Sequence, residues 1–147
     1  MGFKNKNLDR ETVNVARGSV VILVPDPYEK SVGKEQQGKR PSVIVSVTSL
    51  GNSLRFDYDV MAVVPLTRTL GLGDFYPVLS PRPGLRLLSQ SSVIPEQLRV
   101  VDKDRVEGLL GRVTGAEMSE IEDRLRKWLN LPAVPPAAPV SPAPPNP

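Results

Sequence analysis

At 147 residues and 16.0 kDa, with 19 Lys and Arg against 16 Asp and Glu, the chain is sized for one domain and carries a net charge of +3. It holds no cysteine and no histidine, which removes disulfides, thiolate nucleophiles, Ser-His-Asp triads, two-histidine nucleases and most catalytic zinc sites together. Any catalysis must therefore use carboxylate, arginine, lysine, tyrosine or hydroxyl groups, and the pI near 9.4 admits a polyanionic partner without demanding one.

No apolar run approaches the roughly 18 to 20 residues of a membrane span, so no membrane partner is expected. The start, Met1 to Leu8, is basic but has no hydrophobic core segment, unlike a secretory signal. A soluble cytoplasmic protein is the expectation. Residues 1–16 are polar, mixed in charge and without a clear period, and read as an N-terminal arm. Residues 17–131 carry the folded pattern. Residues 132–147 contain eight prolines and no charged side chain, a composition that forms neither helix nor sheet and predicts an extended, disordered tail.

Within the body, Val20 to Val24 is apolar and β-branched, and Pro25-Asp26-Pro27 stops it. Ser42 to Val47 is a second strand-like run, followed by turn residues Gly51-Asn52-Ser53. Tyr58 to Val64 is a third, expected to end at Pro65. Phe75 to Leu79 and Leu85 to Leu88 flank a turn built on Pro81-Arg82-Pro83-Gly84. Short strands with little helical period between them predict an α+β, mainly β fold: a coiled sheet or small barrel rather than βαβ units. A short helix is expected to begin near Asp102. The end is plainly helical. Thr114-Gly115-Ala116-Glu117 matches a capping box, and Met118, Ile121, Leu125, Trp128 and Leu129 then make one apolar stripe. The stripe reads as core packing with Trp128 as an anchor, and Leu131-Pro132 as the helix end.

The chemistry is expected in Gly33-Lys34-Glu35-Gln36-Gln37-Gly38-Lys39-Arg40-Pro41. This polar loop between the first two strands has glycines at both ends, which permit close approach to a phosphate chain. Arg40 stands where loop meets strand, so its planar fork has a defined direction suited to phosphate oxygens. A solvated, charged hairpin loop is the competing reading from residue types alone.

A wider pattern bears on that choice. Arg17-Gly18-Ser19-Val20-Val21 precedes Gly33-x-Glu35-Gln36-x-Gly38-x-Arg40-Pro41. Val63-Val64-Pro65-Leu66-Thr67, then Glu96 to Val106, then the capped last helix follow in order. Together, over residues 17–131, these resemble the MazF/PemK family of toxin endoribonucleases. The resemblance implies a small SH3-like barrel of the CcdB/PemK type that forms a homodimer. It implies metal-independent cleavage of single-stranded RNA, with no cofactor, and neutralisation by an antitoxin protein.

Residue by residue, the family's catalytic arginine falls on Arg40 and its threonine on Thr67. The implied reaction is attack of the RNA's own 2′-hydroxyl on phosphorus, leaving a 2′,3′-cyclic phosphate. Arg40 would stabilise the added negative charge; a guanidinium titrating above about 12 suits that role better than proton transfer. Glu35 is the candidate base, with a loop carboxylate paired to Lys34 or Lys39 as its alternative. Lys34, Gln36, Lys39, Arg68 and Gln97 are candidate RNA contacts. Lys34 stands where relatives often carry a small residue, and the segment 26–32 is long for the family; both bear on which RNA sequence is recognised. Two alternatives stay open: a CcdB-like gyrase-binding poison, which shares the barrel and works through its C-terminal helix, and a non-catalytic relative that binds RNA or antitoxin.

Overall fold

The computed structural model describes residues 15–25, 39–47, 60–133 and Pro135. The N-terminal arm up to residue 14, the loop segment 26–38, the turn at 51–53 with Tyr58 and Asp59, and nearly all of the proline-rich tail lie outside the described residues.

Among the described residues, seven strands make a mainly β half-barrel with one α-helix. They are β1 (Ser19–Leu23), β2 (Pro41–Ile44), β3 (Val60–Thr67), β4 (Val78–Leu79), β5 (Ser91–Val93), β6 (Arg99–Asp102) and β7 (Val106–Arg112), followed by α1 (Gly115–Trp128). The sheet order is β4-β5-β3-β2-β1-β7, with β6 also pairing β3. Each pairing is antiparallel.

Strand alternation sends the sheet's side chains to two cores. Val20, Val43, Val64 and Leu66 point to one face, where Leu79, Leu85, Val93, Met118 and Ile121 close over them. Val21, Leu23, Ile44, Met61, Val63 and Val101 point to the other. The helix covers only the first face. This division decides where a polyanion could lie.

β3 is the spine, since it pairs with β2 along one side and with β6 and then β5 along the other. It also corrects the expected strand end, for it runs straight through Pro65 to Thr67. A proline lacks the N–H that a ladder needs. Here β3 pairs with β6 over Val60–Val63 and with β5 over Leu66–Thr67. Pro65 falls at the handover between the two, and its carbonyl accepts from Ile94 N at 3.0 Å.

Other boundaries differ from the sequence reading as well. The second run is a strand only over Pro41–Ile44. Of Phe75 to Leu79, only Val78 and Leu79 join a ladder, and Leu85 to Leu88 makes isolated bridges instead of a strand. The helix expected at Asp102 is a single 3₁₀ turn, Lys103–Arg105, capped by the Asp102 carboxylate accepting from Asp104 N at 2.8 Å. The chain then enters β7, whose Gly108 and Gly111 mask a strand in any propensity reading.

Gly111 has a specific cause. Its φ is +145°, and a Cβ there would stand 2.1 Å from the Gly84 carbonyl oxygen. The turn between Arg82 and Leu85, which close on each other by backbone hydrogen bonds of 3.1 and 2.9 Å, packs directly on β7. β7 also slips register twice against β1, and such bulges bend a strand and help the sheet curl.

The helix begins as the sequence predicts. Thr114 Oγ1 accepts from Glu117 N at 3.1 Å, and Glu117 Oε1 accepts from Thr114 N at 2.7 Å. Its end differs: α1 stops at Trp128, with Asn130 at φ 53° and Leu131 N donating to Arg126 O at 2.8 Å, a Schellman-type closure. Trp128 is not a core anchor, for it is 53% exposed, while Ile121 is fully buried. The apolar stripe outruns the sheet beneath it.

Two arginines moor the helix. Arg82 grips Glu117 with two bonds of 2.6 and 2.9 Å. Arg17 donates to Glu122 at 2.6 Å and to Val45 O at 3.0 Å, tying the approach to β1 to both α1 and the strand beside it. Burial alone would raise the Glu117 carboxyl, but hydrogen bonds from Arg82 and Thr114 and the Arg82 charge outweigh it, so the carboxyl titrates below its ordinary value of 4.5. Glu122 is lowered too, chiefly by Arg17.

Two outcomes follow from this packing. Gly111→Ala is expected to lower stability by about 2–4 kcal/mol, combining positive φ with a backbone clash; the urea midpoint should fall with little change in slope. A depressed carboxylate contributes stability that is full above its ordinary pKa and is lost as pH falls through the folded-state value. Unfolding midpoints of the intact protein should therefore drop as pH descends below about 4.5, and Arg82→Met should flatten that descent.

Candidate RNA-binding groove

The site is set by one register. β2 and β3 pair as Ser42 with Pro65, Val43 with Val64 and Ile44 with Val63. Arg40 immediately precedes β2 and Thr67 closes β3, and the paired register stops two residues short of both. Positions that face each other across an antiparallel pair share a side of the sheet. Arg40, Ser42, Pro65 and Thr67 therefore belong to the face opposite α1.

A small, shallow groove, open to solvent, lies on that face. Arg40, Ser42 and Pro65 form one wall, and Leu23 and Pro25 continue it from the end of β1. Arg99 and Arg105 complete the lining. Arg99 stands on β6 across from Val63, on the same side of the sheet. Arg105 ends the 3₁₀ turn before β7, and its Nε donates to Val24 O at 2.8 Å. Among the described residues lining the groove, three are arginines and none is acidic. Such a lining concentrates positive potential against apolar prolines and leucine, which suits a phosphodiester chain.

The candidates from sequence fall unevenly around it. Arg40 is exposed at the groove's edge. Thr67 is buried, and its Oγ1 accepts from Thr69 N at 3.3 Å, which orients the hydroxyl. Lys39 Nζ is 2.8 Å from Glu107 Oε1, so much of its charge is answered on the protein. Arg68 follows Thr67 and is exposed. Gln97 is half-buried in a 3₁₀ turn, Pro95–Gln97, that packs against α1. Glu35, Lys34 and Gln36 lie outside the described residues.

That turn is held by Tyr76, whose hydroxyl donates to Glu96 Oε1 at 2.8 Å. The hydrogen bond, with burial and the Glu96 charge, raises the tyrosine above its ordinary pKa and keeps it neutral. The loop after Thr67 is fastened too, because Ser92 Oγ donates to Thr69 O at 2.8 Å.

Sequence reasoning did not single out Arg99 and Arg105 as site residues. The signal for Arg99 was available: Val101 is a core residue, and a period of two puts residue 99 on the same face. Arg105 carried no such signal, because it stands on a turn that reads as the start of a helix.

The chain belongs to the PemK-like, MazF-like toxin family of type II toxin–antitoxin systems, whose family pattern matches residues 16–129. It is 28% identical over 116 residues to endoribonuclease MazF9 of Mycobacterium tuberculosis, a match spanning 78% of this chain and 96% of that protein. Among solved structures, a mycobacterial endoribonuclease in complex with its cognate antitoxin superposes with a TM-score of 0.58 at 25% identity, over 82% of this chain and 99% of that one. MazF from Deinococcus radiodurans shares the fold with a TM-score of 0.59 at 21% identity, over 79% of this chain and 96% of that one. Among the described residues no helix is long and apolar enough to cross a membrane.

Proposed function

We propose that this chain is a toxin endoribonuclease that cuts single-stranded RNA, messenger RNA included, at a short specific sequence in the cytoplasm. In this reading it acts as a homodimer and is held inactive by a cognate antitoxin protein. The observation that carries the proposal is the groove on the face opposite α1, which Arg40 lines together with Arg99 and Arg105. Family membership and the likeness to an endoribonuclease over 96% of its length support the same reading.

The chemistry follows from those groups. The RNA's 2′-hydroxyl attacks the adjacent phosphorus, the 5′-oxygen leaves, and a 2′,3′-cyclic phosphate results. Negative charge grows on the non-bridging oxygens as the new bond forms. A guanidinium fixed at the head of a strand offers paired donors to those oxygens and needs little rearrangement as the charge develops. The Thr67 hydroxyl, held by its own turn, adds a neutral donor to the same phosphate. Glu35 is the proposed base. With neither histidine nor cysteine in the chain, the reaction is proposed to need no metal.

A second reading has one specific observation in its favour. The end of α1 exposes Trp128, Leu129 and Leu131, each about half accessible. An apolar helix end of this kind is what a CcdB-like gyrase-binding poison would present. That function would leave Arg40 and Thr67 without a role, so it ranks second.

One experiment separates the two. Long unstructured RNA is incubated with the protein in chelator, cut sites and end groups are mapped, and DNA supercoiling by gyrase is measured in parallel. RNA cleavage leaving 2′,3′-cyclic phosphate, unchanged by chelator, is expected, with supercoiling unaffected. Arg40→Ala should lose at least a hundredfold in rate while keeping its melting temperature. Inhibited supercoiling without RNA cutting would instead establish the second reading.

A further inference from the structure

We propose that Glu107 is a positioning residue for RNA cleavage: through Lys39 it fixes the backbone from which Arg40 enters the groove. The proposal rests on the ribonuclease reading and adds to it a residue that does not itself line the groove.

Glu107 owes its place to an irregularity in β7. Leu23 pairs with Val106 and Ile22 with Gly108, which leaves Glu107 as an extra residue between the two pairs. An extra residue of this kind re-aims its side chain out of the regular alternation. Ile22 also pairs with Pro41 on its other side. Because both partners run antiparallel to β1, the residues before Gly108 and those before Pro41 flank the same end of β1. Two strands on either side of a third are about 10 Å apart, a gap that a lysine and a glutamate can span together. The contact is made, with Lys39 Nζ 2.8 Å from Glu107 Oε1.

Lys39 is followed directly by Arg40 and Pro41. The proline, first residue of β2, has a fixed φ and holds the residue before it extended. Arg40 is thus restrained from both sides, by β2 after it and by the ion pair before it, and it reaches the groove from there. With its Nζ on Glu107, Lys39 acts through this anchoring and not by meeting RNA. The Lys39 side chain is 59% exposed and that of Glu107 35%, so the pair adds little to the stability of the whole fold. Its effect falls on the placement of Arg40, because a reaction that relies on preset donors is sensitive to small displacements of them.

The test uses the full chain and a synthetic RNA that spans one mapped cut site. Glu107→Gln and Lys39→Met are each expected to lower kcat about fivefold, with KM within about twofold and the melting temperature unchanged. The swap of Lys39→Glu with Glu107→Lys, which rebuilds the pair in reverse, should recover most of the lost rate. Because the pair is exposed, the gap between wild type and Glu107→Gln should also close as salt rises. A Lys39 that meets RNA directly gives another pattern: Glu107→Gln lowers KM, Lys39→Met raises it, and the swap rescues neither. That pattern overturns the proposal. An unchanged kcat in Glu107→Gln, or a fall in kcat matched by a lower melting temperature, overturns it as well. Should the swapped protein not fold, the two single variants decide by the same criteria. Wild-type protein that cuts no RNA would sink the ribonuclease reading itself, an outcome distinct from these.

Discussion

The pairing of β2 with β3 is the constraint on which the remaining structure depends. Its register divides the side chains of the sheet into a face that takes the helix and a face that carries the groove. Because the side-chain period of a strand is two, a slip by one residue would exchange these faces throughout. Val43 and Val64 would leave the helix-covered core, and Arg40 would turn toward α1. The burial of Val43, Val64, Ile44 and Val63, all fully inside, makes such a slip costly. The cores thus hold the arginine in place, and one of them lies beneath the groove, where Leu23 belongs to both.

In the proposed function, the groove is where a chain without histidine or cysteine assembles a site for phosphate chemistry. Each arginine is presented differently: Arg40 at the head of a strand, Arg99 within one, Arg105 on a turn locked to Val24. Other arginines tie the helix to the sheet, as Arg17 with Glu122 and Arg82 with Glu117. Among the described residues lining the groove, three are arginines. The net charge of +3 alone would not reveal that gathering of arginines.

Much of this was legible in the sequence, for reasons that differ by element. The Val and Ile runs of β1, β2 and β3 declare themselves, and the capping box at Thr114 fixes the helix start because both of its hydrogen bonds are local. Arg40 and Thr67 were singled out through a resemblance of motifs, not by anything the residue types alone declare. What stayed hidden depends on tertiary context. Pro65 reads as a strand end unless the change of partner from β6 to β5 is known. Gly108 and Gly111 disguise β7, since the demand for glycine at 111 comes from Gly84, far away in the chain. Trp128 reads as an anchor by helical spacing, yet no sheet extends beneath it.

The central claim is that Arg40 and Thr67 act on one phosphate as a unit. The most direct measurement is a double-mutant cycle on single-turnover RNA cleavage, with Arg40→Ala, Thr67→Val and the two combined. Groups that share one transition state are strongly non-additive, so the double variant should be about as slow as Arg40→Ala alone. Losses that simply multiply would show two independent contributions and contradict the account.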